Sequence, residues 1–265
     1  MEAAFFDLDK TIIATSSVMA LGGPFYREGL ISKRTIARGV YAQLVYMVVG
    51  ADEEKMERMR EAMLALTKGW DHARVKEIVR ETLDQVITPV IYAEALELIE
   101  EHKRAGRKTV IISSSPIETV QAIGDHLGVD DVIATRARID ADGRYTGELE
   151  FYAYGAHKAE AIREMAVREG IDLAHSYGYS DSITDLPMLD LVGNPVAVNP
   201  DRELARVARD RGWETLVFER PVRLRDRVPV PPKGPTIAAG SALAALGAGA
   251  AVYLWLRRRA ETARA

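Results

Sequence analysis

"AAFFDLDKTI", residues 3–12, decides how the rest of this chain is read. Ala3 to Phe6 are apolar without alternation, as a short strand buried on both faces requires. Asp7, Asp9 and Lys10 follow at once. Two carboxylates so close together at the end of a buried strand can bind a metal, attack a substrate or cap a turn. Residues further along have to choose among these.

Beyond this strand the chain changes rhythm twice. From about Ser16 to Val86 there is no strand pattern, and amphipathic helical stretches dominate, such as "DEEKMERMREAMLALTKGW" (52–70) and "DHARVKEIVRETLDQVI" (71–87). Thereafter helix and strand alternate. "YAEALELIEEHKRAGR" (92–107) reads as a helix, "KTVIIS" (108–113) as a strand and "SPIETVQAIGDHLG" (115–128) as a helix. Ser115, Pro116 and Glu118 spell a capping box for that last helix. "DVIATRARI" (131–139) and "YTGELEF" (145–151) form a hairpin across "DADG" (140–143). "KAEAIREMAVREG" (158–170) is a helix, "HSYGYS" (175–180) a strand, and "PVAVN" (195–199) and "ETLVF" (214–218) flank the helix "DRELARVARDRG" (201–212).

Strands separated by helices of this size predict an α/β fold, a parallel sheet flanked by helices, whose ligands bind beyond the carboxyl ends of the strands. A helical block of this length after the first strand is too long for a loop and predicts an inserted all-helical cap subdomain. The expected organisation is a core of 1–14 and 90–218, a cap of 15–89, and a Pro/Arg-rich linker of 219–235. A hydrophobic helix of 236–256 and a basic tail of 257–265 complete the chain.

Composition narrows the chemistry. The 265 residues carry a net charge of −4, which gives no footprint for nucleic acid, and no cysteine, which excludes disulfides, zinc–thiolate sites and cysteine nucleophiles. The N-terminus lacks the pattern of a signal peptide. By contrast "PTIAAGSALAALGAGAAVYLWL" (235–256) is uncharged throughout and is followed by Arg257, Arg258 and Arg259. It is long enough to cross a bilayer as one helix, with Tyr253 and Trp255 near one end. The larger cluster of Arg220, Arg223, Arg225, Arg227 and Lys233 before it predicts a membrane-anchored protein with its catalytic part in the cytoplasm. Gly240, Ala244 and Ala248 are spaced so that two such helices can pack as a homodimer.

Four polar clusters fall at or just beyond strand ends: Asp7 with Asp9, Ser113 with Ser114, Lys158, and Asp181 with Asp185. Together they hold what phosphoryl transfer to a carboxylate needs. Several carboxylates in one crevice call for a hard cation such as Mg²⁺, which takes oxygen ligands. One carboxylate can attack phosphorus and another can pass protons. Serine hydroxyls, a lysine and backbone N–H groups can hold phosphoryl oxygens.

With these residues in view, the chain resembles the phosphatases of the haloacid dehalogenase superfamily, in the subfamily that includes phosphoserine phosphatases. "DLDKT" matches the first motif, "VIIS" the second, Lys158 the third and "YSDSITD" the fourth, in order, over about residues 1 to 228. The resemblance implies a Rossmann-like core, Asp7 as nucleophile and Asp9 as general acid and base. Ser113, the N–H of Ser114 and Lys158 would hold the phosphoryl group. Mg²⁺ would be bound by Asp7, the backbone carbonyl of Asp9 and Asp181, with Asp185 orienting the metal's shell and Lys158. Thr11 would support the nucleophile loop, and Lys10 stands where a small residue is usual.

The substrate is less determined. Phosphoserine phosphatases carry a glutamate nine residues after the nucleophile to meet the substrate amine, and the equivalent here is Ser16, in an uncharged stretch. The expected activity is therefore a Mg²⁺-dependent phosphomonoesterase acting on a small phosphorylated metabolite or a lipid headgroup phosphate. Arg58 or Arg60 of the cap could meet an anionic part of it. The alternatives are a phosphoserine phosphatase proper and a non-catalytic, membrane-tethered protein that binds a phosphometabolite. Asp140 and Asp142 read as hairpin turn residues, the five histidines show no ligand spacing, and Met56, Met59, Met63 and Leu66 read as cap core.

Overall fold

The computed structural model describes residues 1–32 and 53–220. Within them, seven strands form one sheet in the order β4-β3-β2-β1-β5-β6-β7. The strands are β1 (Ala3–Phe6), β2 (Lys108–Pro116), β3 (Asp131–Ile139), β4 (Tyr145–Phe151), β5 (Tyr177–Ser180), β6 (Asn194–Val198) and β7 (Glu214–Leu216). All neighbours are parallel except the β3–β4 hairpin at one edge.

β1 lies between β2 and β5, with Phe6 in register with Ile111 on one side and Tyr179 on the other. The chain thus departs from β1 first to one side of the sheet and later to the other. The crevice at the end of β1 is the topological switch point, where such sheets bind ligands. Asp7 is the first residue past it.

The unbroken apolar run of β1 is explained by two cores. Ala4 and Phe6 face one cluster with Ile99, Ile111, Val120 and Ile123. Ala3 and Phe5 face the other, with Val110, Ile112, Ile162, Met165 and Leu204. Phe5 and Phe6 are both fully buried, and truncating either to alanine would cost about 3–5 kcal/mol.

The helices are α1 (Ser17–Ala20), α2 (Gly22–Arg27), α3 (Glu53–Thr67), α4 (His72–Val86), α5 (Ala93–Arg104), α6 (Ile117–Leu127), α7 (Ala156–Glu169), α8 (Leu186–Leu189) and α9 (Arg202–Arg211). The insertion after β1 is helical wherever it is described, and it is joined closely to the sheet. On α4, Leu83 packs with Ile87, Ile91 and Val120 in the same cluster as Phe6. The turn between α3 and α4 is bonded to the hairpin: Gly69 N–H donates to Tyr145 O at 2.8 Å, Tyr145 N–H to Trp70 O at 3.1 Å and His72 N–H to Gly143 O at 3.0 Å. Met63 differs from its expected core role: it is exposed, while Leu66 is half-buried. Met56 and Met59 belong to the backbone course of α3.

The capping box expected at Ser115 is not formed. β2 runs on to Pro116, which occupies the cap position of α6 without a side-chain bond. The reason is a competition that the local pattern does not show. Ser115 is buried against Asp9, and Glu118 is buried with its carboxylate 3.1 Å from His72 Nε2.

Close backbone approach fixes one further position. A Cβ built on Gly193, just before β6, would lie 1.8 Å from Ala174 O, so only glycine fits.

Among the described residues no helix is long and apolar enough to cross a membrane. The hydrophobic stretch 236–256, its basic tail and nearly all of the linker lie outside the described residues, as do Gly240, Ala244 and Ala248.

Candidate active site

The turn after β1 places Asp7 at the floor of the crevice. Its backbone N–H donates to Tyr179 O at 2.9 Å, extending the β1–β5 pairing by one residue. The turn then closes on itself, with the N–H groups of Ile12 and Ile13 both bonded to Leu8 O. Lys10 sits in it at φ 62, a left-handed conformation costly for a side-chain-bearing residue. Glycine alone adopts that backbone freely, so lysine carries the strain. Lys10 is exposed, and its ammonium lies 4.0 Å from Asp181 Oδ2.

Lys158 is delivered by α7, which starts after Gly155 at φ 55 and ψ −124, a backbone state open to glycine. The lysine is buried, and its Nζ donates to Asp7 Oδ1 at 2.7 Å and to Asp185 Oδ2 at 2.8 Å. Ser180 Oγ donates to the same Asp185 oxygen at 2.7 Å. Burial opposes the ammonium form of Lys158, but Asp185 and Asp7 outweigh it and hold the lysine charged. Asp7 is pushed toward its neutral form. Burial raises its pKa, the Lys158 ammonium pulls it down, and Asp185 and Asp181 raise it again.

Asp9 points elsewhere. Its Oδ1 accepts the Ser17 N–H at 2.9 Å and its Oδ2 accepts the Ser115 hydroxyl at 3.1 Å. The two serines are themselves joined, Oγ to Oγ, at 2.8 Å. Burial raises the pKa of Asp9, and the donors from Ser17 and Ser115 offset only part of that. Asp9 is thus poised to hold a proton at higher pH than a free carboxylate, as a general acid must.

After β2, Ser113 is buried and its Oγ accepts the Ser115 N–H at 3.1 Å. Accepting that bond leaves the hydroxyl proton of Ser113 for another acceptor. Ser114 is exposed, and its carbonyl accepts the Thr135 hydroxyl at 2.7 Å. On the far side of β1, Asp181 is buried, and burial first, with Asp185 and Asp201 adding and Lys10 opposing, pushes its pKa up to about 7.

The sequence-predicted residues therefore arrive in two linked groups. Asp7, Lys158 and Asp185 are in direct contact, with Lys10 near Asp181; Asp9 is held by Ser17 and Ser115 instead. Among the described residues no three acidic or histidine side chains gather as a metal cage. The reason is visible in these bonds, since Asp185 is spent on Lys158 and Ser180, and the Asp9 carboxylate on the two serines. The remaining oxygen set, with Asp7 and Asp181 as carboxylates and a backbone carbonyl of the turn, suits a hard divalent cation. Burial first, and then the neighbouring carboxylates, raise the proton affinity of both aspartates.

Thr11 is buried but its Oγ1 has no hydrogen-bond partner, so the expected support of the loop by that hydroxyl is not made. Three supporting residues escape sequence reasoning: Ser17, Ser115 and Asp201. Asp201 accepts the Ile183 N–H at 2.9 Å and donates its own N–H to Asp181 O at 2.7 Å, fixing the acidic loop. The adjacent pairs Ser16–Ser17 and Ser114–Ser115 were the only available signal, and short polar residues read equally well as caps. Asp140 accepts the N–H groups of Asp142 and Arg144, as a turn residue does, and His157 is exposed beside Glu160.

Comparison with known proteins agrees with this architecture. The haloacid dehalogenase-like hydrolase family matches residues 4–190. The chain is 53% identical over 264 residues to the "Inhibition of morphological differentiation protein" of Streptomyces azureus, covering 98% of this chain and 95% of that one. It is 50% identical to a probable phosphatase of Mycobacterium tuberculosis, covering 97% and 89%. Among solved structures, a protein of unknown function from Bordetella pertussis Tohama I superposes with a TM-score of 0.71 at 28% identity, over 81% of this chain and 97% of that one. The chain belongs to the haloacid dehalogenase-like hydrolase family.

Proposed function

We propose that this hydrolase is a phosphomonoesterase that passes the phosphoryl group through Asp7. The observation that carries the reading is the contact of Asp7 with Lys158, itself held by Asp185. A buried carboxylate aimed into the crevice by a buried ammonium is pre-positioned as a nucleophile, and its orientation is fixed before substrate arrives. The similarity to a probable phosphatase supports the same reaction class.

In this reading an oxygen of Asp7 attacks phosphorus and the bond from phosphorus to the leaving oxygen breaks. Protonated Asp9 gives its proton to that oxygen, releasing the alcohol and leaving an acyl phosphate on Asp7. Asp9, now a carboxylate, takes a proton from water as the water oxygen attacks phosphorus. The acyl phosphate is cleaved, Asp7 is regenerated and inorganic phosphate leaves. Ser113, the N–H of Ser114 and Lys158 hold the non-bridging oxygens, where negative charge concentrates. Mg²⁺ would be held by Asp7, Asp181 and the carbonyl of Asp9, and when bound it would neutralise charge on the phosphoryl oxygens. The substrate is a small phosphorylated metabolite or a lipid headgroup phosphate, the latter favoured if residues 236–256 anchor the chain in a membrane.

The test is phosphate release from a panel of phosphomonoesters by wild type and Asp7→Asn, with Mg²⁺ or with EDTA. Release that needs magnesium and is absent in Asp7→Asn is the expected result. Undiminished release by Asp7→Asn would overturn the assignment of the nucleophile.

A further inference from the structure

The segment Tyr152–Gly155 joins β4 to the helix that carries Lys158. Ala153 is fully buried and anchors it: its N–H donates to Thr135 Oγ1 at 3.3 Å, and Thr135 donates in turn to Ser114 O. At the other end Gly155 lies against Thr184 O of the acidic loop, which a Cβ would approach to 3.9 Å. The segment therefore runs from the turn after β2 to the loop after β5, the two elements that flank Asp7.

With Ala153 turned inward, Tyr152 and Tyr154 turn together to the other side. Their rings stack with centroids 5.4 Å apart and planes 13° apart. From α3, Arg60 lays its guanidinium over Tyr152, 5.1 Å from the ring centroid. All three side chains are half-buried. Two stacked rings and a planar cation thus meet on the segment that links the turn after β2 to the loop after β5.

We infer that Tyr152, Tyr154 and Arg60 seat the alcohol portion of the substrate, and that this seat selects phosphomonoesters bearing a planar ring. The inference rests on the phosphatase reading and deepens it by naming a substrate class. The chemistry favours rings on two counts. Flat π faces and a guanidinium plane gain most contact from a partner that is itself flat. An ammonium-bearing aliphatic ester offers no plane to stack and adds a positive charge near the cations Arg60 and Lys10, with Ser16 where a carboxylate would be needed.

The experiment uses the full-length chain with magnesium and three probes of one reaction: benzyl phosphate, phosphoserine and acetyl phosphate. Benzyl phosphate carries a ring on an ordinary alkyl oxygen, so its reactivity is not that of an activated aryl ester. Wild type should prefer it to phosphoserine by about tenfold or more in kcat/KM, the size of one good stacking contact. In Tyr154→Leu the ratio of kcat/KM for benzyl phosphate to that for acetyl phosphate should fall about tenfold, mainly through KM, and Tyr154→Phe should restore it. Arg60→Lys, which keeps the charge and loses the plane, should lower the same ratio. A ratio unchanged in Tyr154→Leu and Arg60→Lys, or phosphoserine preferred by wild type, would overturn the inference while leaving the phosphatase reading intact. No hydrolysis of acetyl phosphate or of either ester would overturn the phosphatase reading itself.

Discussion

The hydroxyl of Ser115 donates to Asp9 Oδ2 at 3.1 Å, across 106 positions of sequence, and ties the turn after β2 to the turn after β1. In the proposed mechanism this bond steadies the carboxylate that gives and takes a proton, and it opposes the rise in pKa that burial imposes.

Ser115→Ala should therefore lower kcat by about tenfold, roughly 1.4 kcal/mol, the loss of one hydrogen bond to a charged group. The limb of the pH–rate profile governed by Asp9 should move to higher pH, because a donor that favoured the carboxylate is gone. Steady-state kinetics from pH 5 to 9 would show both effects, and a profile unmoved from wild type would count against this role.

The two partners of the central ion pair should behave oppositely when removed. Asp7→Asn takes one carboxylate out of a buried cluster and leaves Lys158 bonded to Asp185, so turnover should vanish while stability holds or rises. Lys158→Met leaves Asp7 and Asp185 buried without their ammonium and should cost about 3–5 kcal/mol. Urea denaturation of the two variants beside wild type decides this, and equal losses would contradict the geometry.

Magnesium should stabilise the folded chain by mass action, raising its melting temperature as the ion saturates the site. Asp181→Asn should abolish most of that rise, since Asp181 is bound to neither lysine nor serine at hydrogen-bond distance, which leaves its oxygens to a cation. A thermal melt series in magnesium, with calcium as a control for size, measures it. An undiminished rise in the variant would exclude Asp181 from the site.

His102 supplies a pH effect on stability away from the crevice. Buried on α5, its Nε2 lies 2.8 Å from the Tyr179 hydroxyl, and burial, with the Arg107 cation adding, lowers its pKa to about 4. A histidine held neutral in the fold contributes stability that is complete above its unfolded pKa near 6.5 and is lost as pH falls toward 4. The loss should be about 3 kcal/mol at most. His102→Gln should flatten this part of the stability profile between pH 6.5 and 4, and parallel urea midpoints for the two proteins would argue against it.

Much of this molecule is legible along the chain. The apolar run Ala3–Phe6 has no polar face, and only a central strand with a core on each side accommodates that; Ala4 with Phe6 and Ala3 with Phe5 fill the two cores as required. The alternation of helix and strand after residue 90 dictates the crossovers, and with them the placing of Asp7, Ser113, Lys158 and Asp185 at strand or helix ends. These are local properties: periodicity reports which face a residue presents, and turn chemistry reports where an element stops.

What tertiary structure alone decided is which of those residues touch. Ser115 and Glu118 have the spacing of a capping box, yet one is bonded to Asp9 and the other to His72 of α4. Ser17, Tyr152 and Gly193 carry no mark in the sequence of what they meet. Their partners come from the order of strands in the sheet, with β1 set between β2 and β5, and that order brings together residues a hundred positions apart. A buried polar group takes the strongest partner the fold delivers rather than the nearest one along the chain, because leaving a buried donor or acceptor unpaired costs more than a lost cap.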